Sequence, residues 1–170
     1  MVASGTVLLI LAALASGIQH APPLSFIGFS PGMAVADARS LVTQRGGSLS
    51  CRKTTDSRLY ECTGAVALPS LVQPLSLLVS SVRDSVGVMV LTTSLSEGDT
   101  RRLVRDLTRD FGRPNHKVEP ASLESWQWIR RGQMLRVVVQ RTGNQLETAV
   151  TLTHGPLLDA LGLPENTKPD

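Results

Sequence analysis

Leu75-Ser-Leu-Leu-Val-Ser-Ser-Val82, Arg83-Asp84-Ser85 and Val86-Gly-Val-Met-Val-Leu91-Thr92-Thr93 together form the stretch that decides the fold. Two apolar runs rich in β-branched residues flank a short polar break, which is the pattern of a β-hairpin. Upstream of it the chain carries a helix pattern and a pair of strands. Downstream it carries another helix pattern and another run of strands. The expectation is an α+β chain of two helix-plus-antiparallel-strand units, residues 26–95 and 96–163, packed as one domain with the helices on one face of the sheet. That order of elements also predicts an internal repeat.

Working back from the hairpin, Leu59–Val66 and Ser48–Thr54 have strand character, with Asp56-Ser57 at the turn between them. A two-residue loop there sets Thr54 opposite Leu59, Lys53 opposite Tyr60 and Cys51 opposite Cys62. These are the only two cysteines in the chain. Their facing positions predict a disulfide closing a loop of about a dozen residues, which stabilises by roughly 2–3 kcal/mol in the chain-entropy model. A redox pair is the rival, but the C-x-x-C spacing that lowers a thiol pKa is missing. Further upstream, Ser30 and Pro31 have the chemistry of an N-cap and first helical position. Met33, Ala34, Ala38, Leu41 and Val42 fall on one helical face, and Gly46-Gly47 stops the helix. Phe26-Ile-Gly-Phe29 reads as a short edge strand, after the stiff linker Ala21-Pro22-Pro23.

Working forward, Ser96 or Asp99 caps a second helix whose apolar face is Leu103, Val104, Leu107 and Phe111. Gly112 and Pro114 end it. Arg101, Arg105 and Arg109 form a stripe at i, i+4 and i+8. The stripe is either an anion-binding face or a solvated one, and the interleaved Asp106 and Asp110 favour the solvated reading. Arg113–Ser122 reads as loop. Three strands follow, Ser125–Arg130, Met134–Arg141 and Leu146–Thr153, with turns at Arg131-Gly132 and Gly143-Asn144. Pairing across those turns sets Trp128 opposite Leu135, Trp126 opposite Val137, Val137 opposite Val150 and Leu135 opposite Leu152. That face is wholly apolar and reads as core. The other carries Gln127, Ile129, Met134, Arg136, Val138 and Gln140, with Glu147 and Thr151. Apolar side chains mixed with Arg and amides suit the centre of a protein interface, so these six are the candidate partner-binding residues. Leu157, Leu158 and Leu161 belong to a last short helix, and residues 164–170 form a polar tail.

The first charged side chain is Asp37. Before it, Val7-Leu-Leu-Ile-Leu-Ala-Ala-Leu14 is an apolar run of signal-peptide length, and Ala13-Leu14-Ala15 supplies a cleavage site before Ser16. Residues 1–15 are thus expected to be an export signal and 16–25 a linker, giving a periplasmic or secreted protein. The run lacks a basic n-region, which keeps an uncleaved anchor or a misplaced start codon as alternatives. Unless it is such an anchor, no stable membrane span is expected. The chain has 170 residues, 42% of them hydrophobic, which suffices for a core without a metal. Fourteen of the 17 basic residues are Arg, yet the net charge is only +3, too small for dedicated nucleic-acid binding.

Gly32-Met33-Ala34-Val35-Ala36-Asp37 resembles the G-M-[ST]-x-x-[DE] helix start of the BamE-type outer-membrane assembly lipoproteins, with Ala34 in place of Ser or Thr. Phe111-Gly112-Arg113-Pro114 resembles the G-x-P that ends the equivalent helix. Tandem helix-plus-meander units also resemble the architecture of the β-lactamase inhibitor protein. The first copy lacks G-x-P and the lipid-attachment Cys is absent. The resemblance implies a fold and a habit of binding proteins, and it carries over no functional residue.

Motifs for chemistry are scarce. His20, His116 and His154 are the only histidines, and none has zinc-ligand spacing. There is no G-x-S-x-G elbow and no phosphate loop. Glu119 and Glu124 read as solvated loop carboxylates. Hence no catalytic, metal or cofactor residue is expected. The function expected is a non-catalytic binding or assembly module of the bacterial cell envelope whose partner is another envelope protein. The alternative is a small hydrolase built from His116 or His154 with Glu119 or Glu124.

Overall fold

A computed structural model describes residues 22–69, 71, 73–118, 123–142 and 145–162. The export-signal segment 1–15, His20, Glu119, the Gly143-Asn144 turn and the tail 164–170 lie outside the described residues. The elements are α1 (Val35–Gln44), β1 (Ser48–Lys53), β2 (Leu59–Val66), β3 (Leu75–Val82), β4 (Ser85–Leu95), α2 (Glu97–Phe111), β5 (His116–Val118), β6 (Leu123–Arg130), β7 (Gln133–Thr142), β8 (Gln145–His154) and α3 (Gly155–Asp159). All eight strands join one antiparallel sheet in the order β1-β2-β3-β4-β8-β7-β6-β5.

That sheet corrects the expected fold class. The expected two units, each a helix followed by its own antiparallel strands, give way to one eight-stranded sheet with three short helices. Strand β4 pairs with β8 along its length, from Val88↔Thr153 to Leu95↔Leu146, so the sheet is continuous where one unit was expected to end. Strand dominates, and the helices have only 10, 15 and 5 residues. The two longer ones contribute Ala38, Val42, Leu107 and Phe111 to the core but do not cover the apolar side by themselves. Leu24 and Phe29, from the irregular segment before α1, are fully buried in the core, and Phe26, Ile27, Leu68 and Leu71 pack against it. The third helix lies across the opposite side, where Leu158 and Leu161 line a hollow with Val82, Val88 and Met134.

The central hairpin forms as its sequence predicts. Arg83 adopts φ 54° in the tight turn, and β3 and β4 pair with one bulge between Ser80 and Ser81. Alternation then sorts the side chains. Leu75, Leu77, Val79, Met89 and Leu91 are buried on one side, while Leu78 is 45% exposed on the other. The β1–β2 register is the predicted one, with Cys51 opposite Cys62. The two are joined by a disulfide, their Cα atoms 3.9 Å apart, closer than the usual range of about 4.4–6.8 Å. At the turn, Arg58 donates from its guanidinium and its backbone to Asp56. That contact lowers the Asp56 carboxyl from 3.8 to about 2.

Three local expectations are corrected. Phe26–Phe29 is a tight turn and not an edge strand. Phe26 and Phe29 exchange both backbone hydrogen bonds, at 2.8 and 2.9 Å, across Ile27 and Gly28 at positive φ. The first helix starts at Val35, not at Ser30-Pro31. Gly32 takes φ +80°, which breaks the helix path, and Gly32, Met33 and Val35 bond instead to Val86 and Asp84 of the central hairpin. Ala34 consequently sits at the cap and offers no side-chain bond. Finally, the 113–122 loop contains β5, whose three residues pair with β6. The second helix forms as expected. Ser96 Oγ accepts from Asp99 N at 3.1 Å, and Leu107 and Phe111 are buried.

Candidate binding face

The three strands β6, β7 and β8 form in the predicted register. Trp126, Trp128, Leu135, Val137, Val139, Val150 and Leu152 are buried on one side. Trp128 Nε1 donates to the Gly112 carbonyl at 2.8 Å, fixing the strand beneath the end of α2. Arg130 also braces that side, donating to the Phe111 and Pro22 carbonyls at 2.6 and 2.8 Å.

The opposite side is open apart from α3, which lies across one end of it. All six candidate residues, Gln127, Ile129, Met134, Arg136, Val138 and Gln140, project there, because each alternates with a buried neighbour on its strand. Cross-strand partners align them into rows. One runs His116, Gln127, Arg136, Thr151, Val90, Leu78, Thr63 and Ser50 across all eight strands. The next runs Val118, Ser125, Val138, Ala149, Thr92, Ser76, Ala65 and Ser48. On the same face, flanking the Arg136 row opposite the Val138 row, another begins with Ile129, Met134, Thr153 and Val88 and ends with Glu61 and Arg52. The face is hollowed at both ends. A hollow of about 420 Å³ lies over Ser76, Thr92, Val138, Gln140 and Glu147, and one of about 760 Å³ lies between α3 and Ser80, Val88, Ile129 and Met134.

Charges are distributed unevenly on this face. Arg52 and Glu61 pair at 2.9 Å on β1 and β2. Arg136, near the middle of β7, has no ion pair among the described residues, and its Nε is buried without a hydrogen-bond acceptor. The Arg101 and Arg109 positions of the α2 stripe are paired with Glu97 and with Asp106 and Asp110, at 3.0–3.4 Å and largely exposed. Those pairs are what a solvated helix carries.

The residues of the hydrolase alternative are dispersed. His116 is exposed on the open side, whereas Glu124, two residues before Trp126, falls on the covered side, where it is exposed. His154 lies on the covered side as the cap of α3, its Nδ1 accepting from Leu157 N at 3.3 Å. Its ring packs so closely on Gly32 that a Cβ there would stand 2.5 Å from His154 Cδ2. Among the described residues no three His, Cys, Asp or Glu side chains gather as metal ligands, and no helix is long and apolar enough to cross a membrane. Three further members of the open face were not singled out from the sequence. Leu78 was concealed inside a run of apolar residues, Val118 inside a presumed loop, and Leu158 on a helix assigned to no side.

No protein-family model, characterised relative or solved structure matches this chain. The two phrases quoted for the resemblance to BamE-type lipoproteins lie at helix ends. Gly32 and Met33 form the turn bonded to Val86, ahead of the helix, while Gly112, at φ +77°, ends α2.

Proposed function

We propose that this chain is an exported, non-catalytic binding module that engages another protein of the bacterial cell envelope through its open sheet face. One observation carries the reading. The large apolar residues that stand exposed among those described are Leu78 at 45%, Val118 at 50% and Ile129 at 43%, and all three lie on this one face. Scattered exposed apolar residues need no explanation; that these three share one side of the sheet supports reading that side as an interaction surface. Ser, Thr and Ala between them keep the face shallow, so that a partner's backbone can approach closely. Export is supported by the Cys51–Cys62 disulfide, which persists in an oxidising compartment.

The test is a double substitution, Met134→Glu with Arg136→Glu, in the chain beginning at Ser16. Its melting should match that of the unsubstituted chain, because both side chains are only half-buried. Immobilised side by side in envelope extract, the unsubstituted chain should retain a protein that the double variant loses. Equal retention by both would refute the reading, and so would unfolding of the variant, since it would mean that this side is structurally required.

A further inference from the structure

We infer that the occupant of the open face is an acidic loop of a partner protein, with an Asp or Glu carboxylate seated on Arg136. The inference rests on the open face being the binding surface, and it adds the partner's chemistry. In its row Arg136 lies between Gln127 and Thr151, and along its own strand the next residues on the same side are Met134 and Val138. None of the four carries a negative charge. The face's other arginine, Arg52, is already matched by Glu61. Glu147 projects two rows away, opposite Gln140, beyond direct contact with Arg136.

The guanidinium of Arg136 is thus a permanent charge set among apolar and neutral groups, with Nε shut away from solvent and no acceptor for its N–H. A positive charge with no counter-charge beside it is unfavourable while unmatched, and a partner that brings a carboxylate to the terminal nitrogens of this guanidinium gains what the free protein lacks. Its planar fork fits a carboxylate through two parallel N–H···O bonds. Ile129, Met134 and Val138 around it would exclude water from that contact and strengthen it. The same three side chains argue against a small free anion. The occupant must cover them with apolar groups of its own while bringing the charge, as a protein loop does. A polyanion such as nucleic acid needs many cations in a row, and the rest of this row carries no Lys or Arg.

A library of random twelve-residue peptides displayed on phage, selected against the oxidised chain beginning at Ser16, supplies the probe. Enriched peptides should carry Asp or Glu beside an aromatic or aliphatic residue. A synthetic copy should lose at least tenfold in affinity when that acid becomes its amide. R136Q should lose a similar factor, and the two changes together should cost little more than either alone. R136K should recover only part of the affinity, and R52Q should change nothing. Melting curves identify any variant that is misfolded, with R136M as the replacement for an unstable R136Q. Enriched peptides without acids, losses that multiply independently, or a selection that yields no binder would each overturn the carboxylate seat. If Met134→Ser still abolishes peptide binding while R136Q does not, the face reading survives and the acidic partner falls. If neither substitution matters, the face reading falls too.

Discussion

Trp128 and Ile129 are neighbours in the chain and lie on opposite sides of one sheet. The first is 1% exposed and the second 43%. Strand geometry turns successive side chains in opposite directions, so their difference comes from what lies over each side. Above Trp128 the end of α2 supplies both apolar cover, through Phe111, and an acceptor, the Gly112 carbonyl. The open side gathers Ile129, Leu78 and Val118 without comparable cover among the described residues. The covered side holds the fold together, and the open side is the surface proposed for a partner. A second contrast runs along the open side itself. The β1–β2 edge carries Ser48, Ser50 and Thr63 with a matched ion pair, whereas the β6–β7 region carries Ile129, Met134 and Val138 with an unmatched arginine.

The comparison predicts a graded set of stability effects. Trp128→Ala should be the most damaging substitution, removing a fully buried ring and its bond to Gly112. Its expected cost is about 3–5 kcal/mol, measured by urea unfolding. A cost below 1 kcal/mol would show that the Trp side is not the core. Replacing both cysteines by Ser removes the cross-link between β1 and β2, and should cost about 2–3 kcal/mol for a loop of this length. The same loss should appear when the native chain is reduced. Next comes Ser96→Ala, which deletes the hydroxyl that caps α2 over the covered side, at about 1 kcal/mol. If the cap alone fails, Ser96→Asp should retain most of the stability.

Much of this architecture was legible where local chemistry fixes it. Turn residues and alternation give the β1–β2 and β6–β7–β8 registers, and those registers put Cys51 against Cys62 and Trp128 against Leu135. The Ser96 cap and the Gly112 stop delimit α2 in the same way. The pairing of β4 with β8 was not legible, because no turn joins them and either strand could pair with several apolar partners. That one long-range contact replaces two expected units by a single sheet. The start of α1 was misplaced for a related reason. Ser30 and Pro31 have the chemistry of a helix start, but hydrogen bonds from Gly32 and Val35 to the distant hairpin outcompete it. For the candidate site, the six face residues followed from alternation alone. The neutral cross-strand neighbours of Arg136 follow from the same register, but the burial of its Nε without an acceptor does not, since it depends on how the surrounding side chains pack.

The smallest expected effect is the sharpest test of the comparison. Ile129→Ala removes an apolar side chain of similar standing to those in the core, one residue away from the most sensitive position in the sheet. If the two sides differ as described, its cost should stay within about 0.5 kcal/mol, the usual range for surface substitutions. The backbone bond from Ile129 N to Asn115 Oδ1, at 2.7 Å, is unaffected by the change, so β5 should remain anchored. Leu78→Ala, on the distant β3 strand of the same side, should behave alike, because its side chain is 45% exposed. The same pair measured by partner or peptide binding should separate. Ile129 adjoins Met134 and the unmatched Arg136, and should lose affinity. Leu78 stands three strands away from Arg136, across Thr151 and Val90, and should lose less. Stability losses of 2 kcal/mol or more at both positions would mean that a second layer covers this side, and the distinction between a structural and a binding face would not hold.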